Sequence, residues 1–103
     1  MVKFKTKPDW AERWLDLVSD FTLATRAEPA NLWFEWSRSS DDSNEFVLVE
    51  AFQDGGAEPH VNSLHFKRAM QDMPQALAET PHIINTTIEG TDEWSLMGEL
   101  SVD

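Results

Sequence analysis

Two histidines, an asparagine and a serine are gathered in the stretch HVNSLHF, His60 to Phe66. A carboxylate, Glu50, stands upstream of them in FVLVEAF. These residue types do proton chemistry. An imidazole exchanges protons near neutral pH, and a carboxylate on one ring nitrogen leaves the other free to act as a base. The same residues also read as a metal site, or as ordinary polar side chains on a wet helix face. The metal reading is the weakest of the three. On one continuous helix, His60 and His65 are separated by about 140° around the axis, whereas helical metal ligands are spaced by three or four residues. His82 follows Pro81 at the start of a strand, and no regular loop of acidic ligands occurs. No metal is expected.

The base reading rests on Glu50, His60 and His65. Glu50 alternates with Leu48 and Phe52, so it points from an apolar sheet face, where a carboxylate needs a partner or a raised pKa. His60 lies in the first turn of the helix that follows this strand, and Asn62 and His65 share another face of that helix. Glu50 orienting His60 or His65 would make a base and its orienter. The plainer alternative has His60 capping the helix start, His65 half-exposed and Glu50 bonded to backbone or a serine. Trp33, Phe34, Trp36, Phe52 and Phe66 either line a flat cavity for an aromatic substrate or form core. No G-x-S-x-G elbow, G-x-G-x-x-G or P-loop is present, and no nucleotide cofactor is expected.

Those residues must be carried by a small scaffold. A chain of 103 residues, 41% hydrophobic, makes a single domain, 1–103, with one core. It has no cysteine, which excludes disulfides, thiolate metal sites and thiol nucleophiles. The net charge of −11 excludes a nucleic-acid role: Lys3, Lys5, Lys7 and Arg13 crowd the start, and no Lys or Arg follows Arg68. No apolar run reaches membrane-spanning length, and MVKFKTKP lacks the apolar core of a signal peptide. A cytoplasmic protein is the expectation.

VKFKTK alternates as a first strand. Asp9 is placed to cap a helix with the stripe Trp10, Trp14, Leu17, Phe21 and Ala24, reinforced by Leu15 and Val18 and ended by Pro29. NLWFEWSR and EFVLVEAFQ form a hairpin across SSDDSN. Residues 57–70 form the second helix, HIINTTIEG a fourth strand, and DEWSLMGELSVD an edge strand or an extended tail. The order β-α-β-β-α-β predicts an α+β, ferredoxin-like antiparallel sheet with helices on one face. Leu32, Phe34, Trp36, Phe46, Leu48 and Phe52 claim one face, while Trp33, Val47, Val49 and Ala51 make the other greasy as well. A second subunit's sheet is the natural cover, so a homodimer is expected.

RAEPANLWFEWSRSSDDSNEFVLVEAF followed by HVNSLHF resembles the antibiotic biosynthesis monooxygenase family, in particular its quinol monooxygenase branch, over most of the chain from Lys3 to Glu89. The resemblance implies a dimeric α+β barrel that oxidises a small phenol or quinol with molecular oxygen and uses neither metal nor flavin. By motif position it implies a catalytic role for His60 with Glu50 and substrate contact through Asn31. Trp33, Phe34, Trp36 and Phe52 would then be walls, with Asn62 and His65 at the site's edge. Two alternatives share the fold: an isomerase of a small polar metabolite, and a non-catalytic small-molecule-binding or stress-response barrel.

Overall fold

The computed structural model describes residues 1–103. Strand β1 spans Val2–Lys5, β2 Asn31–Arg38, β3 Glu45–Phe52 and β4 His82–Ile83. They form one sheet in the order β2-β3-β1-β4, with every pairing antiparallel. Between β1 and β2 run a 3-10 turn, Pro8–Arg13, then α1, Trp14–Leu17, and α2, Ser19–Arg26. Between β3 and β4 run α3, Ala57–Val61, α4, Leu64–Asp72, and a second 3-10 turn, Met73–Ala76. This is the ferredoxin-like arrangement that the hydrophobic pattern predicts.

The core lies between the sheet and the helices. Phe4, Phe34, Phe46 and Leu48 from the strands meet Trp14, Val18, Phe21, Ala69, Met73 and Ala76. Trp14 is fully buried and packs with Phe4, Trp36 and Phe46 at ring-centroid distances of 5.3, 5.8 and 6.2 Å. Such tilted and edge-on pairs are the arrangements that aromatic quadrupoles favour.

Several elements differ from the sequence expectation. The first helix is not continuous: a 3-10 opening, with Lys7 rather than Asp9 at its N-cap position and no side-chain capping bond, precedes a break at Val18, and Leu15 faces solvent. The second helix is two. Ser63 ends the first and caps the second, donating to the His60 carbonyl at 2.6 Å and accepting from the Phe66 N–H at 3.2 Å. A serine at such a break satisfies donors and acceptors that neither helix can pair internally. Strand β4 has only two residues: Ile84 still exchanges backbone hydrogen bonds with Met1, both at 2.9 Å, and beyond it the chain runs to residue 103 as an exposed tail outside any strand. The outer sheet face carries Trp33, Val47, Val49 and Ala51, all half-buried.

One close approach locks the site end of the fold. The β3–α3 turn folds back on the residues before β2, with the Gln53 N–H donating to the Ala30 carbonyl at 2.8 Å. Gly55 has a φ of +78°, where glycine is favoured. Gly56 is buried so tightly that an added Cβ would lie 2.6 Å from the Ala30 Cβ. Gly56→Ala must therefore force this turn apart, at a cost of about 1–3 kcal/mol as for other overpacking. Urea denaturation should report a lower midpoint, and an unchanged midpoint would contradict the tight packing.

Candidate active site

His60 and His65 lie at the end of the sheet where α2 finishes and α3 begins. The break at Ser63 resets the helical phase, so the two rings approach to a centroid separation of 6.0 Å instead of diverging. Both turn toward Glu28, which stands between the end of α2 and the start of β2. Glu28 Oε2 accepts from His60 Nδ1 at 2.8 Å and from His65 Nε2 at 2.5 Å. Because a carboxylate only accepts, each ring carries its proton on the nitrogen facing Glu28. His60 Nε2 and His65 Nδ1 hold the lone pairs, and neither makes a hydrogen bond within the chain.

The setting is dry. His60 is 3% exposed and sits among Phe52, Phe66, Phe21 and Phe34 at ring-centroid distances of 4.8, 5.2, 5.7 and 6.4 Å. Glu28 is 15% and His65 25% exposed at the side chain. Beside His65 and Phe21 a cavity of about 300 Å³ opens between α2 and α4, bordered also by Asp20, Arg68 and Asp72.

Glu50 does not hold either histidine. It points inward opposite Phe34, as the alternation predicts, but makes no hydrogen bond to His60 or His65. Glu28 takes that place. Burial pushes the Glu50 carboxyl above its ordinary value, His60 and the α-amino group of Met1 oppose the shift, and Glu28 adds to it.

The remaining sequence candidates divide. Phe34 and Phe52 join the histidine pocket. Trp36 is instead core: its ring neighbours are Phe4, Trp14 and Phe34, and its Nε1 donates to Thr22 Oγ1 at 2.9 Å. Trp33 lies on the outer face, beside Trp94 of the tail. Asn31 turns its amide N–H groups to the carbonyls of Trp33 and Ala51, at 3.0 and 3.3 Å, across the irregular start of β2. Asn62 is exposed at the end of α3. Two site residues were not singled out for these roles: Glu28, next to the Pro29 that ends the first helix, and Phe21, read as part of the helix stripe; Phe66, read as a cavity wall or core, is a direct neighbour of His60. The hairpin register carries the signal for Glu28. Asn31 pairs with Phe52, so residue 28 falls opposite the turn that leads into His60.

The fold matches that of known proteins. The model of the antibiotic biosynthesis monooxygenase family covers residues 1–72, and the chain belongs to that family. A protein of Nitrosomonas europaea, provisionally assigned to the same family, is 25% identical over 87% of this chain and 88% of its own, with a TM-score of 0.77. Proteins of Mycobacterium tuberculosis and Pseudomonas aeruginosa share the fold at 20% and 21% identity, with TM-scores of 0.73 and 0.69. The first aligns over 87% of this chain and 94% of its own, the second over 84% and 90%. No curated protein sequence matches the chain. No helix is long and apolar enough to cross a membrane.

The raised Glu50 pKa has a measurable sign. Its neutral acid is favoured by folding, so its contribution is fully present below the unfolded carboxylate pKa and is lost as pH rises through the raised folded value. Glu50→Gln should therefore melt higher than the parent at neutral pH, at equal protein concentration. The gap should close as pH falls into the carboxylate range. A gap that widens at acid pH would contradict the assignment.

Proposed function

We propose that the protein is a cofactor-independent monooxygenase that oxidises a small phenol or quinol with molecular oxygen. One observation carries this reading: a buried histidine is held on one nitrogen by a carboxylate, while its other nitrogen faces no protein partner inside a box of phenyl rings. That is the arrangement of a base kept in one tautomer in a dry, flat setting. Family membership supports oxygenase chemistry of this kind.

In this mechanism His60 Nε2 takes the phenolic proton, and Glu28 stabilises the imidazolium that forms. The phenolate passes one electron to dioxygen, and the phenoxyl radical and superoxide combine at a ring carbon bearing hydrogen. The peroxide recovers the proton from His60. Loss of water, formed from the distal oxygen, a proton and the ring hydrogen, leaves the quinone. The substrate supplies all the electrons, so no external reductant enters. The protein contributes a base, positioning and exclusion of water.

His65 is the second candidate base, because it borders the 300 Å³ cavity while its Nδ1 is free. Oxygen-electrode assays across a panel of hydroquinones decide between them. His60→Ala should lower turnover by about 10²- to 10⁴-fold, the usual worth of a general base. Glu28→Gln should cost less, since the base remains. A larger loss in folded His65→Ala moves the role to His65. Unchanged turnover in both histidine variants would end the base mechanism and favour a binding barrel.

The subunit is proposed to act as a homodimer packed sheet to sheet. The half-buried outer face of Trp33, Val47, Val49 and Ala51 supports this, as does the run of exposed apolar residues Ile84, Ile88, Trp94, Leu96, Met97 and Leu100 in the tail. Light scattering should give twice the 11.8 kDa subunit mass. Val49, opposite exposed Glu35 in the β2–β3 register, lies on that face. Val49→Glu should yield monomers or insoluble protein, and a parent that is monomeric at micromolar concentration would refute the packing.

A further inference from the structure

Glu28, His60 and His65 each bring one ligand atom, an oxygen and two nitrogens, within 4.8 Å of one another, with both nitrogens turned to Glu28 Oε2. We propose that this triad is a binding site for a borderline divalent cation such as Zn²⁺ or Co²⁺, and that the bound cation switches off the base. The cation-binding half stands on the triad geometry alone; the switching half rests on the reading of a histidine as base.

The donor set selects the metal. Two imidazoles and one carboxylate suit zinc and the later first-row ions, whereas Mg²⁺ and Ca²⁺ take oxygen ligands. Bonds of about 2.0–2.2 Å to each donor require donor separations of about 3.0–3.5 Å. The two hydrogen bonds, at 2.8 and 2.5 Å, need to open by a few tenths of an ångström to about one ångström. Glu28 and His65 are partly exposed at the side chain and stand at the end of a helix and in the first turn of another, so they have room to adjust. The three protein ligands leave a coordination position for water. No side chain bonds the outer nitrogen of either ring, so the site lacks the outer-shell support that gives structural zinc its tightest binding. Micromolar affinity is the expectation.

Proton placement supplies the switching. Without a cation, His60 and His65 both direct N–H to Glu28 and keep their lone pairs on the outer nitrogens. A cation takes the lone pairs of Nδ1 and Nε2 instead, so each neutral ring must carry its proton on the outer nitrogen. The nitrogen that would accept a phenolic proton is then already protonated, whichever histidine is the base. The local charge also changes from one negative to one positive, which opposes formation of an imidazolium. Zinc and catalysis therefore compete for the same two rings.

The test is a titration of chelator-treated protein with cobalt(II) chloride, followed by visible absorption, and with zinc chloride in competition with a chromophoric chelator. One equivalent per subunit should bind at micromolar concentration. His65→Ala and Glu28→Gln should weaken binding beyond the 10- to 100-fold that loss of an outer-shell partner costs. The same change at exposed His82 should not. The parent protein gives a variant-free check, since the imidazole NMR signals of His60 and His65, but not His82, should move on zinc addition. Binding only at millimolar zinc overturns the site, as does binding that is indifferent to all three triad residues. With an accepted quinol, saturating zinc should suppress oxygen uptake and a chelator should restore it. Undiminished uptake with zinc bound overturns the switch. Absence of turnover on every substrate counts against the base reading alone, because the titration decides the cation site independently.

Discussion

The arrangement of this protein's site depends on one oxygen atom. Glu28 Oε2 accepts two imidazole N–H groups, and no other group in the chain bonds it. A carboxylate in a half-dry cleft is costly unless its charge is met by hydrogen bonds. Two charge-assisted bonds to rings that are themselves packed among phenylalanines meet that need and fix both tautomers. Four separate pieces of backbone bring the three side chains together. α2 ends at Arg26, two residues before the glutamate, with Pro29 just beyond it, and the β2–β3 register sets that segment against the start of α3. Gly56 permits the close approach to Ala30. Ser63 breaks the second helix so that both histidines turn the same way.

Two carboxylates near the same histidines thus have different fates. Glu28 is paired and sits at the mouth. Glu50 is unpaired by hydrogen bonds, lies under the helices between Leu48 and Phe52, and feels mainly its burial. The contrast shows why proximity alone does not make an orienter. A side chain leaving a strand is confined to the sheet normal, whereas one at a helix end can swing to meet a ring nitrogen at bonding distance.

The aromatic residues divide along the same line. Those at the closed end, Trp14, Trp36, Phe4 and Phe46, interlock as core. Those at the other end, Phe21, Phe34, Phe52 and Phe66, surround an imidazole. Phe34 belongs to both groups and ties the site to the rigid part of the fold. A side chain on such a platform keeps its geometry without loops of its own.

What the sequence by itself determined is the scaffold: element order, the hairpin, the core stripe through Trp14 and Phe21, and the two greasy sheet faces. These follow from local periodicity, which depends on residues a few positions apart. The family was also legible, in the FVLVEAF strand and the HVNSLHF helix. Which carboxylate meets the histidines was decided only by tertiary structure. Glu28 and His60 are 32 residues apart in the chain, and their meeting depends on a strand register and a glycine contact that no local pattern records. The separation of His60 and His65 around a helix was likewise overturned by a single serine. Ser63 trades a continuous helix for two capped ones, and that exchange is settled by how both helices pack on the sheet rather than by the propensity of the stretch itself.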